Sequence, residues 1–180
     1  MSRSEITAGL SELLERHLSG KTCVWGREVS IETLGRCRPD YLSVSAYFGK
    51  LAGLSDIERA EVAAYEVKSC MADLKSGHGL NAVGDLNYIV GPYELMMEVV
   101  ERHCAGDESM PGGEWGWAYP LHKDSRSLKT LRDMPRYEGQ TEGWRLHWVT
   151  PGRLAAQRPQ PIFVYLWALL HSCHGQGSSC

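Results

Sequence analysis

The sequence predicts one α/β domain in which a mixed central β-sheet is flanked by helices. The chain has 180 residues, a usual length for one domain, and 43% of them are hydrophobic, which is enough for a single core. Segments with strand patterns alternate with segments of helical periodicity, which is the order expected of an α/β fold. The sequence shows no internal repeat and no clear linker between domains.

The first predicted elements are a helix and a strand. Residues 4–18 form an amphipathic pattern, for which Ser4 is the expected N-cap and Gly20 the expected stop. The apolar face of this helix consists of Ile6, Leu10, Leu13, Leu14 and Leu18. Residues 23–31 are rich in β-formers, and polar and apolar side chains alternate from Glu28 to Ile31, so a strand is expected there.

Two more strands are predicted on either side of an excursion. Residues 38–45 alternate so that Asp40 lies in line with apolar side chains, a position that aspartate seldom occupies in a strand. Residues 62–69 carry apolar side chains on both faces, as expected of a central strand. Between these strands, Ser55-Asp56-Ile57-Glu58 has the form of a capping box, so a short helix is expected to begin there.

Helices and strands alternate in the remainder of the chain as well. The expected elements are a helix at 70–75 with Ser69 as N-cap, a strand at 87–90, a helix at 93–104, a strand at 145–150 and a helix at 162–171. The predicted buried side of the 93–104 helix is Leu95, Met96, Val99, Val100 and His103. The 162–171 helix is so apolar that it is expected to pack on the core or on a second subunit.

The charge distribution limits how the chain could bind nucleic acid. A formal net charge of −3 argues against binding through overall charge, although a local basic patch remains compatible with it. The best candidate patch is segment 121–136, where basic residues recur every three or four positions. These residues are Lys123, Arg126, Lys129, Arg132 and Arg136. A solvated helix face is the alternative interpretation of the same run.

Cysteine spacing argues against a structural zinc site, and hydropathy argues against a membrane or secreted location. The six cysteines contain no C-x-x-C pair, so small buried residues are expected in place of a structural zinc site. His171, Cys173 and His174 could bind a metal, which we interpret as adventitious. The N-terminus lacks the apolar run of a signal peptide, and no segment is apolar enough to span a membrane. We therefore expect an intracellular, cytoplasmic chain.

The most informative stretch is Tyr65-Glu66-Val67-Lys68-Ser69, together with Pro39-Asp40 upstream. On a strand, Glu66 and Lys68 share one face and Val67 points the other way. If the strand that carries Asp40 lies alongside, two carboxylates and an ammonium meet, and such a group can hold a hard divalent cation beside a phosphate. The alternatives are a turn aspartate after proline and a structural contact between Glu66 and Lys68.

These residues resemble the motifs of the PD-(D/E)XK nuclease superfamily. Pro39-Asp40 matches the PD pair, and Glu66-Val67-Lys68 matches the (D/E)XK tripeptide. The run from Tyr65 to Pro92 is most similar to the MmcB-like DNA-repair branch. Members of that branch carry E-x-K-S, then a helix with an acidic residue, then an apolar strand that ends in proline. The resemblance covers roughly Val24 to Tyr119.

The resemblance implies a restriction-endonuclease-like core of order αβββαβ in residues 1–120, with 121–180 adding a C-terminal strand and helix to the same domain. It also implies a DNA endonuclease of repair or processing that depends on Mg²⁺ or Mn²⁺. Asp40, Glu66 and the carbonyl of Val67 would bind the cation, and Lys68 would orient the attacking water. Glu28 and Glu15 are additional candidate carboxylates. Candidate contacts to nucleic acid are Arg38, Lys75, His78, Arg126, Lys129 and Arg132.

Two other functions stay open beside the nuclease. The same fold without activity would serve as a DNA-binding module. An interaction protein, of phage origin, would instead use the tryptophan-rich C-terminal third: Trp115, Trp117, Trp144, Trp148 and Trp167. Ordinary packing is the favoured interpretation of these tryptophans. The expected partner is DNA and not a membrane, with a homodimer or a partner subunit as a further expectation.

Overall fold

The computed structural model describes residues 2–35, 37–46, 53–76, 80–125, 135–149, 152–153 and 158–175. The helices are α1 Arg3–Ser19, α2 Leu54–Glu58, α3 Met71–Lys75, α4 Tyr93–Cys104 and α5 Ile162–Gly175, with a 3-10 turn at Glu32–Leu34. The strands are β1 Cys23–Arg27, β2 Tyr41–Ser45, β3 Glu61–Val67, β4 Leu86–Val90, β5 Gly116–His122, β6 Trp144–Trp148 and β7 Gly152–Arg153.

All of these strands join one mixed sheet. Its neighbours run β1-β2-β3-β4-β5-β6, and β7 pairs with β4. The pairs β1-β2, β2-β3 and β5-β6 are antiparallel, whereas β3-β4 and β4-β5 are parallel. The predicted α/β class with a mixed sheet is therefore confirmed, and β3 occupies the central position that was predicted for residues 62–69.

Alternation along the strands separates two faces of the sheet. Helix α1 covers one face, where Leu10 and Leu14 pack with Tyr41, Tyr65 and Val67. Helix α5 covers the other face, where its buried side chains pack on residues of β2 and β3. A further cluster around Ile89 lies beneath α3 and α4. Glu66 is paired with Ile89 in the β3-β4 register, so its side chain projects to the face opposite α1.

Helix α1 forms largely as its sequence predicts. The leucines predicted for its apolar face are buried, and Gly20 is the C-cap. The N-cap was predicted at Ser4, which is two residues too late. Ser2 is the N-cap, because its hydroxyl accepts from the Glu5 amide while the Glu5 carboxylate accepts from the Ser2 amide at 2.7 Å.

Other expectations are corrected at the ends of elements. Strand β1 ends at Arg27 and does not reach Ile31, because Glu28 adopts a left-handed φ of 51° that interrupts the extended backbone. Helix α2 begins at Leu54, one residue before the predicted start. Cys70, and not Ser69, is the N-cap of α3, while the Ser69 amide and hydroxyl donate to Asp73 within that helix.

The predicted buried side of α4 was only partly right. Leu95, Met96 and Val99 are buried, but Val100 is 43% exposed and His103 is also exposed. Both residues lie in the second half of the helix, where the apolar stripe turns away from the sheet. The core under α4 is therefore shorter than the sequence pattern suggests.

The C-terminal segments contact the same sheet. Strand β6 pairs with β5, and α5 packs against β1 and β2, with the Tyr165 hydroxyl donating to the Val83 carbonyl at 2.7 Å. Trp115, Trp117 and Trp144 are buried, as packing predicts, whereas Trp167 on α5 is 64% exposed. In the described part of the chain, no helix has both the length and the apolar character needed to cross a membrane.

Candidate active site

The pairing of β2 with β3 brings the two predicted carboxylates to the same place. Tyr41 lies opposite Tyr65 in the antiparallel register, so Asp40, one residue earlier, reaches the end of β3 where Glu66 lies. The Asp40 Oδ2 atom accepts a hydrogen bond from the Val67 amide at 2.8 Å. This bond links the Pro39-Asp40 pair directly to the Glu66-Val67-Lys68 tripeptide.

Glu66 is the most strongly buried acidic side chain of this group. It is 1% exposed, and neither of its carboxylate oxygens has a hydrogen-bond partner. The Lys68 Nζ atom lies 3.9 Å from Glu66 Oε2, and Lys68 is itself 5% exposed. Burying an ionised carboxylate without hydrogen bonds is costly, and an ammonium at this distance offsets only part of that cost.

The surroundings of Glu66 favour its protonated form. The pKa of Glu66 is raised from 4.5 to about 9, mainly by burial and then by the charge of Asp40, while the ammonium of Lys68 opposes the shift. A protonated Glu66 can also donate to Asp40, which stabilises the neutral form. Two carboxylates in one site that compete for a proton are a usual sign of a functional centre.

Glu28 and Glu15, the two additional candidates, lie in different surroundings. The Glu28 amide donates to the Asp40 carbonyl at 2.9 Å, and the Glu28 carboxylate pairs with Arg38 at 2.9 Å. The charge of Glu28 also contributes to the raised pKa of Glu66. The Glu15 carboxylate instead accepts from the Tyr41 hydroxyl at 2.7 Å and pairs with Arg27 at 3.2 Å.

A cleft of about 310 Å³ opens onto Asp40, Val67 and Lys68, whereas Glu66 lies beneath it and is not among its lining residues. We call it the α1 cleft, because α1 forms one wall and the ends of β2 and β3 form its floor. Its lining residues are Arg3, Thr7, Ser11, Arg27, Glu28, Asp40, Tyr41, Val67, Lys68 and Asp73. The Arg3 guanidinium contacts the Asp73 carboxylate at 2.5 Å and so joins α1 to α3 across the cleft.

Sequence reasoning missed Arg3, Arg27 and Asp73 as residues of this cleft. Arg3 and Arg27 belong to no motif, and only the tertiary fold brings them beside Asp40. Asp73 had a usable signal, since an acidic residue on the helix after the E-x-K-S run is a feature of the resembled branch. In this chain the Asp73 carboxylate accepts from Ser69 and pairs with Arg3.

Asp40, Glu66 and the Val67 carbonyl together fit a hard divalent cation. Two carboxylates and a backbone carbonyl form a sparse oxygen set, which suits Mg²⁺ because this ion keeps several of its waters. The buried oxygens of Glu66, which lack hydrogen-bond partners, are groups that a cation would satisfy. Among the described residues, no cluster of three or more His, Cys, Asp or Glu side chains is placed to hold a metal. The two-carboxylate set falls below that number.

The basic residues predicted to contact nucleic acid are only partly described. Arg38 is exposed and paired with Glu28, and Lys75 is exposed at the end of α3. His78, Arg126, Lys129 and Arg132 lie outside the described residues. The predicted basic patch of segment 121–136 therefore stays a prediction. The same holds for the metal-binding alternative at Cys173 and His174, whose side chains are not described.

Comparison with known proteins gives no relative for this chain. No family model, no characterised protein sequence and no solved structure matches it. The function is therefore inferred from the side chains of the α1 cleft and from the charges that surround them.

Proposed function

We propose that the chain is a nuclease that hydrolyses DNA phosphodiesters with a divalent cation, Mg²⁺ or Mn²⁺, in DNA repair or processing. The observation that carries this proposal is the meeting of Asp40, Glu66 and Lys68 at the end of two neighbouring strands. Their types and chain order are those of the PD-(D/E)XK motif. The burial of Glu66 and Lys68 and the raised pKa of Glu66 support the proposal.

The order of the elements supports the finer fold proposal, a restriction-endonuclease-like core. Helix α1 precedes β1, β2 and β3, which pair antiparallel, and α3 then leads to β4, which runs parallel to β3. This is the predicted order αβββαβ, with the small α2 inserted before β3. Asp40 precedes β2 and Glu66 lies within β3, the positions that the motif requires.

Each residue of the site has its own role in the proposed reaction. Asp40, Glu66 and the Val67 carbonyl would hold the cation, which when bound lowers the pKa of a water and offsets the charge of the phosphate. Lys68, on the floor of the α1 cleft, orients the attacking water and stabilises the negative charge that develops on the phosphate oxygens. Water oxygen adds to phosphorus, the bond to one ester oxygen breaks, and that oxygen takes a proton, leaving a phosphomonoester and a hydroxyl.

The test is nicking of supercoiled plasmid by purified protein in Mg²⁺, in Mn²⁺ and in EDTA. Asp40→Asn, Glu66→Gln and Lys68→Met are each expected to lower the rate by about two to three powers of ten. Asn at position 40 can still accept from the Val67 amide, so this variant removes charge and preserves the bond. Glu98→Gln removes a half-buried carboxylate on α4 that does not line the α1 cleft, and this control keeps the wild-type rate.

The opposite results would reject the proposal. Nicking that continues in EDTA would exclude a cation-dependent reaction. Any one of the three site variants that cleaves at the wild-type rate would remove that residue from its proposed role. Folding of each variant is checked by circular dichroism, so that loss of activity is not confused with loss of structure.

A second candidate function, a protein-interaction module, is favoured by one observation on α5. Residues 162–175 contain no Asp, Glu, Lys or Arg, and Phe163, Trp167 and Leu170 are 66%, 64% and 59% exposed. An apolar face of this kind marks a contact surface. Trp167→Ser separates the two functions. If the chain is an interaction module, this variant loses partner binding. If the chain is a nuclease, the variant keeps cation-dependent nicking at the wild-type rate.

A further inference from the structure

We propose that Arg3 and Arg27 form a phosphate clamp that holds the nucleic-acid backbone beside the cleaved phosphate without reading its sequence. This inference rests on the proposed nuclease function and adds two residues that no motif indicates. Both arginines line the α1 cleft together with Asp40 and Lys68. The clamp therefore borders the proposed catalytic residues directly.

The α1 cleft continues into a larger groove of about 760 Å³, which we call the α1 groove. Four residues line both spaces: Arg3, Thr7, Ser11 and Arg27. The α1 groove then extends along α1 past Ala8 and Glu12. A chain of phosphates that enters the cleft at Lys68 consequently has a continuous path along α1, and both arginines border that path.

Both arginines can exchange their present partners for phosphate. Arg3 is 59% exposed and pairs with Asp73, and Arg27 is 48% exposed and pairs with Glu15. Each guanidinium has five N–H donors, which is more than one carboxylate can accept, so donors remain for a phosphate. Their carboxylate partners are 17% and 32% exposed, but both guanidinium groups reach solvent, and arginine forms strong, often bidentate hydrogen bonds with phosphate.

The charges around the groove are balanced before any ligand arrives. Each outer carboxylate has an arginine partner, in the pairs Glu12–Arg16, Glu15–Arg27, Glu28–Arg38 and Asp73–Arg3. A divalent cation bound beside Asp40 would add positive charge next to Lys68, and this charge attracts the phosphate backbone. We therefore expect a divalent cation to strengthen binding of the backbone at the clamp.

The residues that line the α1 cleft and the α1 groove are unsuited to base-specific recognition. Of the described residues that line the cleft and the groove, Tyr41 is the only aromatic one. It is 2% exposed and its hydroxyl is bonded to Glu15, so no base can stack on it. Guanidinium groups that contact phosphates position a nucleic acid without selecting its sequence.

The experiment measures binding of fluorescent DNA duplexes of three unrelated sequences by anisotropy in Ca²⁺ and in EDTA. Arg3→Gln and Arg27→Gln are each expected to weaken binding about five- to tenfold for all three sequences. Each should also reduce the slope of log binding constant against log salt concentration by about one. Arg16→Gln is the matched control. Arg16 lies on α1, is 55% exposed and is ion-paired, but it lines neither the cleft nor the groove. The Arg16→Gln variant is therefore expected to bind DNA with wild-type affinity.

One variant distinguishes the clamp from a merely structural role of Arg27. Glu15→Gln removes the carboxylate that competes for Arg27, so it is expected to tighten DNA binding at unchanged melting temperature. A structural role would give no tightening, and a role of Glu15 as cation ligand would give weaker binding in Ca²⁺. Either result would overturn the clamp.

The remaining outcomes separate this inference from the proposed function. If wild type nicks plasmid while Arg3→Gln and Arg27→Gln bind like Arg16→Gln, the clamp is wrong and the nuclease stands. If the two arginine variants lose different amounts of affinity for the three DNA sequences, the claim of sequence-independent contact is overturned. If wild type neither nicks plasmid nor binds the duplexes in Ca²⁺, both proposals fail.

Discussion

The Lys68 ammonium lies 3.9 Å from the Glu66 carboxylate, and the two side chains are 6% and 1% exposed. This distance exceeds that of a hydrogen bond, so the pair gains charge attraction without the short contact that a buried ion pair needs. A structural contact between Glu66 and Lys68 was one interpretation of the sequence. The structure shows this contact, and the binding of a cation by Glu66 stays a proposal.

The buried Glu66 predicts an unusual dependence of stability on pH. Its pKa is raised to about 9 in the folded chain and is ordinarily 4.5, so between these values the folded state holds a proton that the unfolded state has lost. Stability therefore falls as pH rises through this window, by at most about 1.4 kcal/mol per pH unit for one proton. Urea unfolding of wild type and Glu66→Gln at pH 6, 7 and 8 without divalent cations measures it.

Glu66→Gln is expected to gain stability relative to wild type with each step in pH. The control is Glu98→Gln, whose half-buried carboxylate should leave the pH slope unchanged. Parallel stability curves for wild type and Glu66→Gln between pH 6 and 8 would show that Glu66 is ionised in the folded chain throughout, which contradicts its assigned environment.

A divalent cation should stabilise the fold through Asp40 and Glu66. A ligand present at ten times its Kd adds about 1.4 kcal/mol, which corresponds to a rise in Tm of about 3 to 6 °C for a chain of this size. Differential scanning fluorimetry with Mn²⁺ at pH 7.5 is expected to show this rise for wild type and Glu98→Gln. Asp40→Asn and Glu66→Gln should lose it. Equal shifts in all four proteins would place the cation elsewhere.

The convergence of Asp40 and Glu66 could be predicted from sequence because it needs only local rules. Consecutive strands usually pair, which brings Asp40 alongside Glu66. The predicted strand 62–69 was too long at its end, because β3 ends at Val67 and Lys68 follows it. The long-range contacts of the cleft follow no such rule. Arg3 meets Asp73, and Arg27 meets Glu15, through helix placement, which residue patterns do not encode.

The errors in predicting element ends have a shared cause. Several polar residues near an element end can each make the capping bond, and tertiary contacts decide which one does. Ser2 displaced Ser4 at α1 because Glu5 stands three residues after Ser2, and Ser69 lost its predicted capping role because its amide and hydroxyl are used by Asp73. The left-handed Glu28 likewise follows from its amide bond to the Asp40 carbonyl and is invisible in the alternation of residues 28–31.

His17 should remain neutral well below the usual range for histidine. Its pKa is lowered from 6.5 to about 4, mainly by burial and also by the charge of nearby Lys21. The His17 ring lies 4.6 Å from that of Trp148. The unfolded chain takes up a proton below 6.5 and the folded chain does not, so stability falls as pH drops from 6.5 to 4. NMR of the imidazole carbons should show an uncharged ring at pH 5.5. His17→Phe should flatten the decline, and a ring that titrates near 6.5 would contradict its buried setting.

Gly9 should be among the least tolerant positions of α1, because a neighbouring segment approaches its backbone closely. A Cβ atom at Gly9 would collide with the Gly139 carbonyl oxygen and lie 2.5 Å from the Tyr137 hydroxyl. Gly9→Ala gains up to about 1 kcal/mol of helix propensity, but the overpacking costs roughly 1 to 3 kcal/mol. We expect a net loss in chemical denaturation. Gly20→Ala on the same helix, where the nearest atom lies at 3.5 Å, is the control and should be tolerated. Equal stability of the two variants would mean that segment 137–139 does not pack on α1 as described.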